Sequence, residues 1–306
     1  MERSFLTLNE SILQKWKASA DLAGIPREAY EFKAKIVKDE AGKSDYNFGV
    51  ILNNYRFKRP LSNIKNCPLC DVIKEIKINT SRNLDYSSLP GFFVIPNRFP
   101  IVEGTSNAIT EGTDSLEEKM YTTKSLKKLS NNFDKIISFT NYFGFRAFHN
   151  SEGAGASIYR HEHWHLTNYG KIFNELSEIY GFESADYVQS SSAKSVQTIP
   201  SFPFAHLIFS PTEKDRIIYF LERIHNEIGN KYAKGSVPHC IAQGQRGILI
   251  TPFQNHNEAG IGAGETAGHI VCKTEQEFTN ADYDYCISKL KGRLFSKEEI
   301  NLEKFL

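Results

Sequence analysis

Apolar and polar positions alternate along this chain in patterns that divide it into helices and strands in two successive blocks. Apolar residues at helical spacing predict helices, and short β-branched and aromatic runs bounded by Gly, Pro or polar residues predict strands. The first block is predicted to contain a helix over 9–23, strands over 46–52 and 91–102, one or two helices from Asp114 to about Phe139, and strands over 145–150 and 157–166.

A second block of the same kind follows a helical segment over 171–180 and a polar, Ser-rich stretch over 184–198, which we interpret as a loop between two halves. The elements predicted in it are a strand over 202–209, a helix over 211–232, a hairpin over 239–253, a strand over 267–272 and a closing helix over 277–290. Strands followed by helices in both blocks predict an α+β fold in which helices cover an antiparallel sheet in each half.

Composition narrows the class of protein. With 306 residues, 40% of them hydrophobic and 24% charged, the chain can bury a sizeable core, which excludes a disordered or collagen-like protein. Its 37 basic and 36 acidic residues leave a net charge of +1, so no broad field attracts a nucleic acid or an acidic membrane. The sequence has no apolar run of about 20 residues and no basic-then-apolar start typical of a signal peptide, so we expect a cytoplasmic protein. The five cysteines are an odd number, as expected for reduced thiols.

The segment HEHWHL contains the pattern with the clearest chemical meaning. On a strand, alternate side chains share one face, so His161, His163 and His165 would all point the same way. Three imidazoles in a row suit nucleophilic and proton-transfer chemistry, or metal binding. The preceding SEGAGAS loop offers Gly155 and Ser157, whose backbone and hydroxyl groups can cradle an anion without any net positive charge.

Common metal-binding motifs fit this stretch poorly. The spacing from Gly155 to His163 matches the opening of a cupin motif, but the carboxylate that should follow is missing at residues 166–168. The metal-binding motif HExxH is absent from the sequence. A site of two histidines and one carboxylate would need a distant Asp or Glu, and no pattern in the sequence indicates which one. A β protein that holds a divalent ion on its histidines stays an alternative to an enzyme.

The histidine stretch SIYRHEHWHL resembles the His-x-His-x-His motif of the histidine-triad (HIT) superfamily. Other segments are similar to its larger branch, which contains galactose-1-phosphate uridylyltransferase, diadenosine tetraphosphate phosphorylase and GDP-hexose phosphorylases. In chain order these segments are GVILNNYRFKRP, NCPLC, VIPNRFPIV, FHNSEGAGAS, GILITPF and GAGETAGHIV, and the resemblance spans roughly residues 46–275. It implies a HIT-like antiparallel sheet with flanking helices in two related halves. The division would be an N-terminal helical extension (1–45), a catalytic half (46–185) and a second half (196–306).

The resemblance also implies a role for each residue that matches a motif of the family. The middle histidine, His163, would be the nucleophile that forms a covalent nucleotidyl-histidine. His161 would orient the site and His165 would contact the phosphates. The other implied contacts are the loop residues Asn150, Gly155 and Ser157 around the phosphate oxygens, Asn97, Phe99 and Pro100 around the base and ribose, and Arg56 and Lys58 near the phosphate or sugar end.

The function implied by the resemblance is nucleotidyl transfer or phosphorolysis. The substrate would be a nucleotide sugar or a dinucleoside polyphosphate, and the acceptor a phosphate or a sugar phosphate, with neither nucleic acid nor membrane as a partner. The related transferases usually carry Gln where this chain has His165, whereas small HIT hydrolases and some phosphorylases of that smaller type carry His, so a nucleotide hydrolase is the alternative. Superfamily members are often dimeric, which makes a homodimer a candidate assembly.

A zinc site is a further expectation that the resemblance raises. The chemistry requires no cofactor, but Cys67 and Cys70 form half of a tetrahedral site that His161 would extend, with His149 as the candidate fourth ligand. Two reduced cysteines at a tight turn are the alternative. Cys240, Cys272 and Cys286 are expected to be buried small hydrophobic residues, and the second-half histidines are expected to be structural. His256 and Glu265 are candidates for the border of the active site.

Overall fold

The computed structural model describes most of the chain. The described residues are 13–58, 69, 91–98, 100, 105–110, 123–151, 153–155, 162–167, 180–191, 195–232, 237–255 and 261–306. Every structural statement below refers to these residues. Within them, no helix is both long enough and apolar enough to cross a membrane.

A nine-stranded antiparallel sheet forms the centre of the fold, in the order β3-β4-β6-β5-β10-β11-β9-β8-β7. Its strands are β3 (Phe92–Pro96), β4 (Ser106–Thr110), β5 (Arg146–Asn150), β6 (His163–Thr167), β7 (Val188–Gln189), β8 (Gln197–Thr198), β9 (Leu207–Phe209), β10 (His239–Gln243) and β11 (Ile248–Pro252). Four strands of the predicted first half, β3 to β6, lie at one end, and β5 pairs with β10 of the predicted second half. Strands of both predicted halves therefore lie in one sheet.

A second sheet of three strands lies against part of the large one. It consists of β1 (Lys33–Val37), β2 (Phe48–Leu52) and β12 (His269–Cys272), in the order β1-β2-β12. β1 and β2 are antiparallel, whereas β12 runs parallel to β2. This pairing also joins the two ends of the chain, because β12 belongs to the predicted second half.

Three amphipathic helices cover the other side of the large sheet, namely α1 (13–22), α2 (Thr123–Phe143) and α3 (Lys214–Ile228). The helices α4 (Ala263–Thr266) and α6 (Tyr283–Leu290) lie instead on the opposite face, with β2 and β12, and α5 (Glu275–Asn280) contacts the same two strands. Apolar residues at spacings of three and four bury one face of α2 and of α3, as Leu126, Leu129 and Phe133 do on α2. Short 3-10 turns lie at 27–29, 54–58, 181–183, 229–231 and 302–305.

Two hydrophobic cores result, one on each face of the large sheet. On the helical face, Trp164 and Leu166 of β6 pack with α2 and α3 in one cluster. On the opposite face, Phe148 and Cys240 pack in a second cluster that includes β2 and β12. Because β6 is a strand, His163 and His165 lie on this second face, which we call the site face.

The predicted fold class is confirmed: the chain is α+β, with a large antiparallel sheet and flanking helices. The hairpin over 239–253 is observed as β10 and β11. Strands of both predicted halves lie in the large sheet, and this observation does not test where one half ends and the other begins. The division into halves stays a prediction.

Three local predictions differ from the structure. The closing helix over 277–290 is two helices, because Asp282 caps the second one by accepting from Tyr285 N. The N-terminal extension contains a strand, β1, as well as a helix. The β1 sequence KAKIV does not indicate a strand by itself, and it forms one because it pairs with β2. The polar stretch over 184–198 includes β7 and β8, which continue the sheet edge.

Candidate functional site

The histidine strand lies in the middle of the first-half strands, between β4 and β5. β6 begins at His163, so His163 and His165 share the site face as predicted, and their ring centroids are 5.1 Å apart. His163 is buried at 6% exposure, and Trp164 between them is fully buried on the helical face. The rigid strand thus holds two imidazoles side by side. His161 and Ser157 lie outside the described residues.

Neighbouring strands bring polar side chains to the same face. His165 pairs with Phe148 on β5 and with Asn107 on β4. Asn150 lies two residues beyond Phe148, so it shares the site face and lies at the end of β5 near the start of β6 at His163. The structure therefore brings Asn150, His163 and His165 together.

The turn after β3 contacts the second of these histidines. Asn97 is buried at 8% exposure, and its Nδ2 lies 3.3 Å from His165 Nδ1. The backbone N–H of Asn97 donates to Thr105 O at 2.9 Å, which fixes the turn. Pro100 O accepts from Asn53 Nδ2 at 3.1 Å, and Phe99 lies outside the described residues.

The loop after β5 is held by the second half of the chain. Asn150 Oδ1 accepts from Ala263 N at 2.6 Å and from the Cys240 thiol at 3.2 Å. Gly155 has φ +80°, and a Cβ there would overlap the carbonyl oxygen of Ile261. A side chain at residue 155 is thus excluded twice, by the backbone angle and by the close approach of the 261–265 segment.

The predicted basic cluster lies on the 3-10 turn over 54–58, directly after β2. Arg56 is half-buried, and burial lowers the pKa of its guanidinium below the usual value. The negative charge of Glu265 acts in the opposite direction and offsets part of this effect. Arg56 is therefore within electrostatic reach of the second half, on the side where Asn150 is held. Lys58 is exposed, and its ammonium lies 4.8 Å from the centre of the Tyr55 ring.

His149 lies on the other face of the sheet from His163. Its ring is 4.9 Å from that of Trp164, and burial, His239 and His163 together lower the pKa of His149 well below its usual value. Cys67, Cys70 and His161 lie outside the described residues. Among the residues that are described, no three His, Cys, Asp or Glu side chains are close enough to hold a metal ion.

The sequence did not indicate two of the groups at this site. Cys240 was expected only to fill the core and Ala263 was not singled out, yet both hold Asn150. Glu265, a border candidate, accepts from Gly262 N at 2.9 Å and acts electrostatically on Arg56 and Cys240. The glycines of GIGAGET were the available signal, because Gly262 sits where a Cβ would be 2.8 Å from Asn150 Oδ1. His256, the other border candidate, lies outside the described residues.

Solved structures with the same architecture exist. Yeast Ap4A phosphorylase Apa2 in complex with AMP matches 94% of this chain and 96% of its own chain, with a TM-score of 0.63 and 12% sequence identity. The same enzyme in complex with Ap4A matches with a TM-score of 0.59 and 14% identity over 95% of this chain. The fold is that of this phosphorylase. The likeness thus confirms, at the level of fold, the resemblance suggested by the histidine motif.

Sequence comparison adds no closer relationship. No family model matches the chain, and no curated protein matches it significantly. At 12–14% identity the likeness to the yeast enzyme is one of fold alone.

Proposed function

We propose that the chain is a nucleotidyltransferase or phosphorylase that acts on a dinucleoside polyphosphate or a nucleotide sugar. The observation that carries the proposal is the placement of His163 beside His165 and Asn150 on one sheet face. The yeast enzyme of the same fold is a phosphorylase seen with AMP and with Ap4A, which supports a nucleotide substrate.

In the proposed reaction, a neutral ring nitrogen of His163 attacks the α-phosphorus of the bound nucleotide. The N–P bond forms, and the bond from that phosphorus to the leaving phosphate oxygen breaks, with the electron pair staying on the oxygen. The imidazole carries the resulting positive charge. An oxygen of the acceptor then attacks the same phosphorus, and the electron pair of the N–P bond returns to His163. Neither step needs an oxidant or a reductant.

The surrounding groups have roles that match their chemistry. Asn150 and the backbone of the Gly155 loop would donate hydrogen bonds to the phosphoryl oxygens, where charge develops in the transition state. His165, with Asn97 on its Nδ1, would contact the same phosphates, and Ser157 and His161 would act as the family resemblance implies. Asn97, Phe99 and Pro100 would line the base pocket, and Arg56 and Lys58 would lie at the far phosphate or sugar end.

The covalent adduct is the direct test. Full-length protein is incubated with Ap4A, ADP-glucose, UDP-glucose and GDP-mannose, and its intact mass is measured. We expect a nucleoside monophosphate adduct with at least one of them, released by acid and absent in His163→Ala. His206→Asn is a matched control, because His206 is also a buried histidine but lies outside the site. Its ring nitrogens are hydrogen-bonded to Ile199 N and Phe204 O. If a broader panel of nucleotides also gives no adduct and no turnover, the proposed function is wrong.

A nucleotide hydrolase is the second candidate, and it is favoured by a histidine at position 165. The two candidates differ in the acceptor. In a transferase or phosphorylase, adding phosphate or a sugar 1-phosphate speeds release of the nucleotide from His163 and appears in the product. A turnover rate that no acceptor changes would identify the hydrolase.

Structural zinc held by Cys67, Cys70 and His161 is also proposed. Elemental analysis of the purified protein is expected to find about one zinc per chain, lost in Cys67→Ser. A protein without zinc would leave Cys67 and Cys70 as two thiols at a turn. Metal that is instead lost in His163→Ala would support the metal-binding alternative.

A further inference from the structure

The orientation of the Asn150 side chain is fixed by the second half of the chain. Ala263 N, a backbone group that can only donate, lies 2.6 Å from Asn150 Oδ1, so this atom is the carbonyl oxygen of the amide. The Cys240 thiol, which also lies 3.5 Å from Ala154 O, donates to the same oxygen over the shorter distance of 3.2 Å. A carboxamide is planar, so its NH2 group points away from both donors and keeps its two N–H groups for another acceptor.

From this geometry we infer that Cys240 is a positioning residue, which holds the Asn150 amide so that its NH2 group donates to the phosphate of the bound nucleotide. The inference rests on the proposed function and deepens it. Cys240 does not touch the substrate. It acts on the reaction through Asn150, which lies across from it in the β5–β10 pair.

The thiol is suited to this role because it stays protonated. Burial, to which the Glu265 charge adds, raises the pKa of Cys240 well above its usual value. A thiolate would be an acceptor and would repel Asn150 Oδ1, whereas the S–H group donates to it. Cys240 is 1% exposed, so it is protected from oxidants and alkylating agents as well.

Glu265 holds the other donor in place. Its carboxylate accepts from Gly262 N at 2.9 Å, as the first residues of α4 turn towards Asn150. This contact fixes the peptide next to Ala263 and therefore the direction of Ala263 N. A thiol from β10 and a backbone group from α4, two separate elements of the second half, thus meet on one oxygen.

A packing role for Cys240 predicts different behaviour from a positioning role. If Cys240 only filled the core, its replacement would lower stability and leave the rate of adduct formation unchanged. If it orients Asn150, removing the donor slows the reaction even where the protein stays folded. Cys240→Ala removes the donor, and Cys240→Ser keeps one.

The experiment measures the rate of His163 nucleotidylation by rapid quench and intact mass, with Ap4A or whichever panel nucleotide modifies the wild-type chain. Loss of one oriented hydrogen bond predicts a rate about tenfold lower in Cys240→Ala and within about threefold of wild type in Cys240→Ser. Cys272→Ala is the matched control, because Cys272 is also a buried free cysteine. It is expected to leave the rate unchanged.

A double-mutant cycle with Asn150→Ala separates the two roles further. Because Cys240 acts through Asn150, Cys240→Ala should slow the Asn150→Ala variant no further, although it slows the wild type. Equal slowing in both backgrounds, or a Cys240→Ala rate equal to that of the wild type, would overturn the inference while the adduct itself still supports the proposed function. A wild-type chain that forms no adduct with any nucleotide contradicts the proposed function, and this inference with it.

Discussion

Single hydrogen bonds decide how the uncharged side chains of the site can act. The Asn97 amide faces His165 Nδ1 at 3.3 Å. When the amide NH2 donates to Nδ1, the neutral imidazole carries its proton on Nε2. His165 then presents an N–H donor, as the Gln side chain of the related transferases can. Asn150 is fixed in a comparable way by Cys240 and Ala263. Both contacts need residues that are distant in the sequence.

At residue 155, we expect Gly155→Ala to be more harmful than a positive φ alone explains. Gly42 has φ +65° with open space around it, so Gly42→Ala reports only the backbone cost, about 1–2 kcal/mol. Gly155→Ala adds an overlap with Ile261 O and should destabilise the protein by at least about 1 kcal/mol more, while also slowing adduct formation. Urea unfolding of the two variants measures the difference. Equal losses would show that the Ile261 carbonyl moves aside without cost.

Secondary-structure elements are held together by one buried ion pair in particular. Arg146 at the start of β5 and Glu183 on the 181–183 turn meet at 3.2 Å, with their side chains 7% and 5% exposed. Glu183 Oε1 also accepts from Gln245 N at 2.6 Å, in the turn between β10 and β11. A single carboxylate therefore joins three elements at the opposite end of β5 from Asn150.

Removing the charge of Glu183 should cost far more than removing the charge of an exposed acidic residue. Glu183→Gln leaves the Arg146 guanidinium buried beside a neutral amide, which predicts a loss of about 3 kcal/mol in the free energy of unfolding. Glu227→Gln is the control, because its partner Arg223 lies at 2.8 Å on the α3 surface. There the expected loss is below about 0.5 kcal/mol. Similar losses in the two variants in chemical denaturation would contradict this view of the ion pair.

Across the whole molecule, neutral histidines are part of the core. His206, His239 and His269 are all at most 3% exposed. Burial lowers the pKa of His206 and His239 to about 4 and that of His269 to about 3. The unfolded chain binds protons at these residues near pH 6.5, whereas the folded chain does not. Their contribution to stability is therefore complete above pH 6.5 and is lost as the pH falls towards 4.

This linkage predicts a marked loss of stability in mild acid. Between pH 7.5 and pH 5.5 each of the three histidines should remove about 1.4 kcal/mol, together about 4 kcal/mol, before most carboxylates titrate. Burial lowers the pKa of His149 and His225 as well, so these two residues should add to the loss. Denaturant unfolding at several pH values measures the slope. In His269→Asn, the pH-dependent part should shrink by about 1.4 kcal/mol, although stability at pH 7.5 also falls. A free energy of unfolding that is constant over this range would show that the folded chain takes up protons at these histidines over the same pH range as the unfolded chain.

The sequence by itself determined the elements and the chemistry that they carry. Periodicity indicated the α+β class and the β10–β11 hairpin, and alternation in HEHWHL placed His163 and His165 on one strand face, because a strand's side-chain period is a local property. The tertiary structure alone decided that β5 pairs with β10 and that Cys240 and Ala263 donate hydrogen bonds to Asn150. Such contacts join residues about 90 and 113 positions apart, and no local pattern encodes which distant strand and turn will meet. Which strand and turn meet is decided by the burial of apolar side chains in the two hydrophobic cores, one on each face of the large sheet.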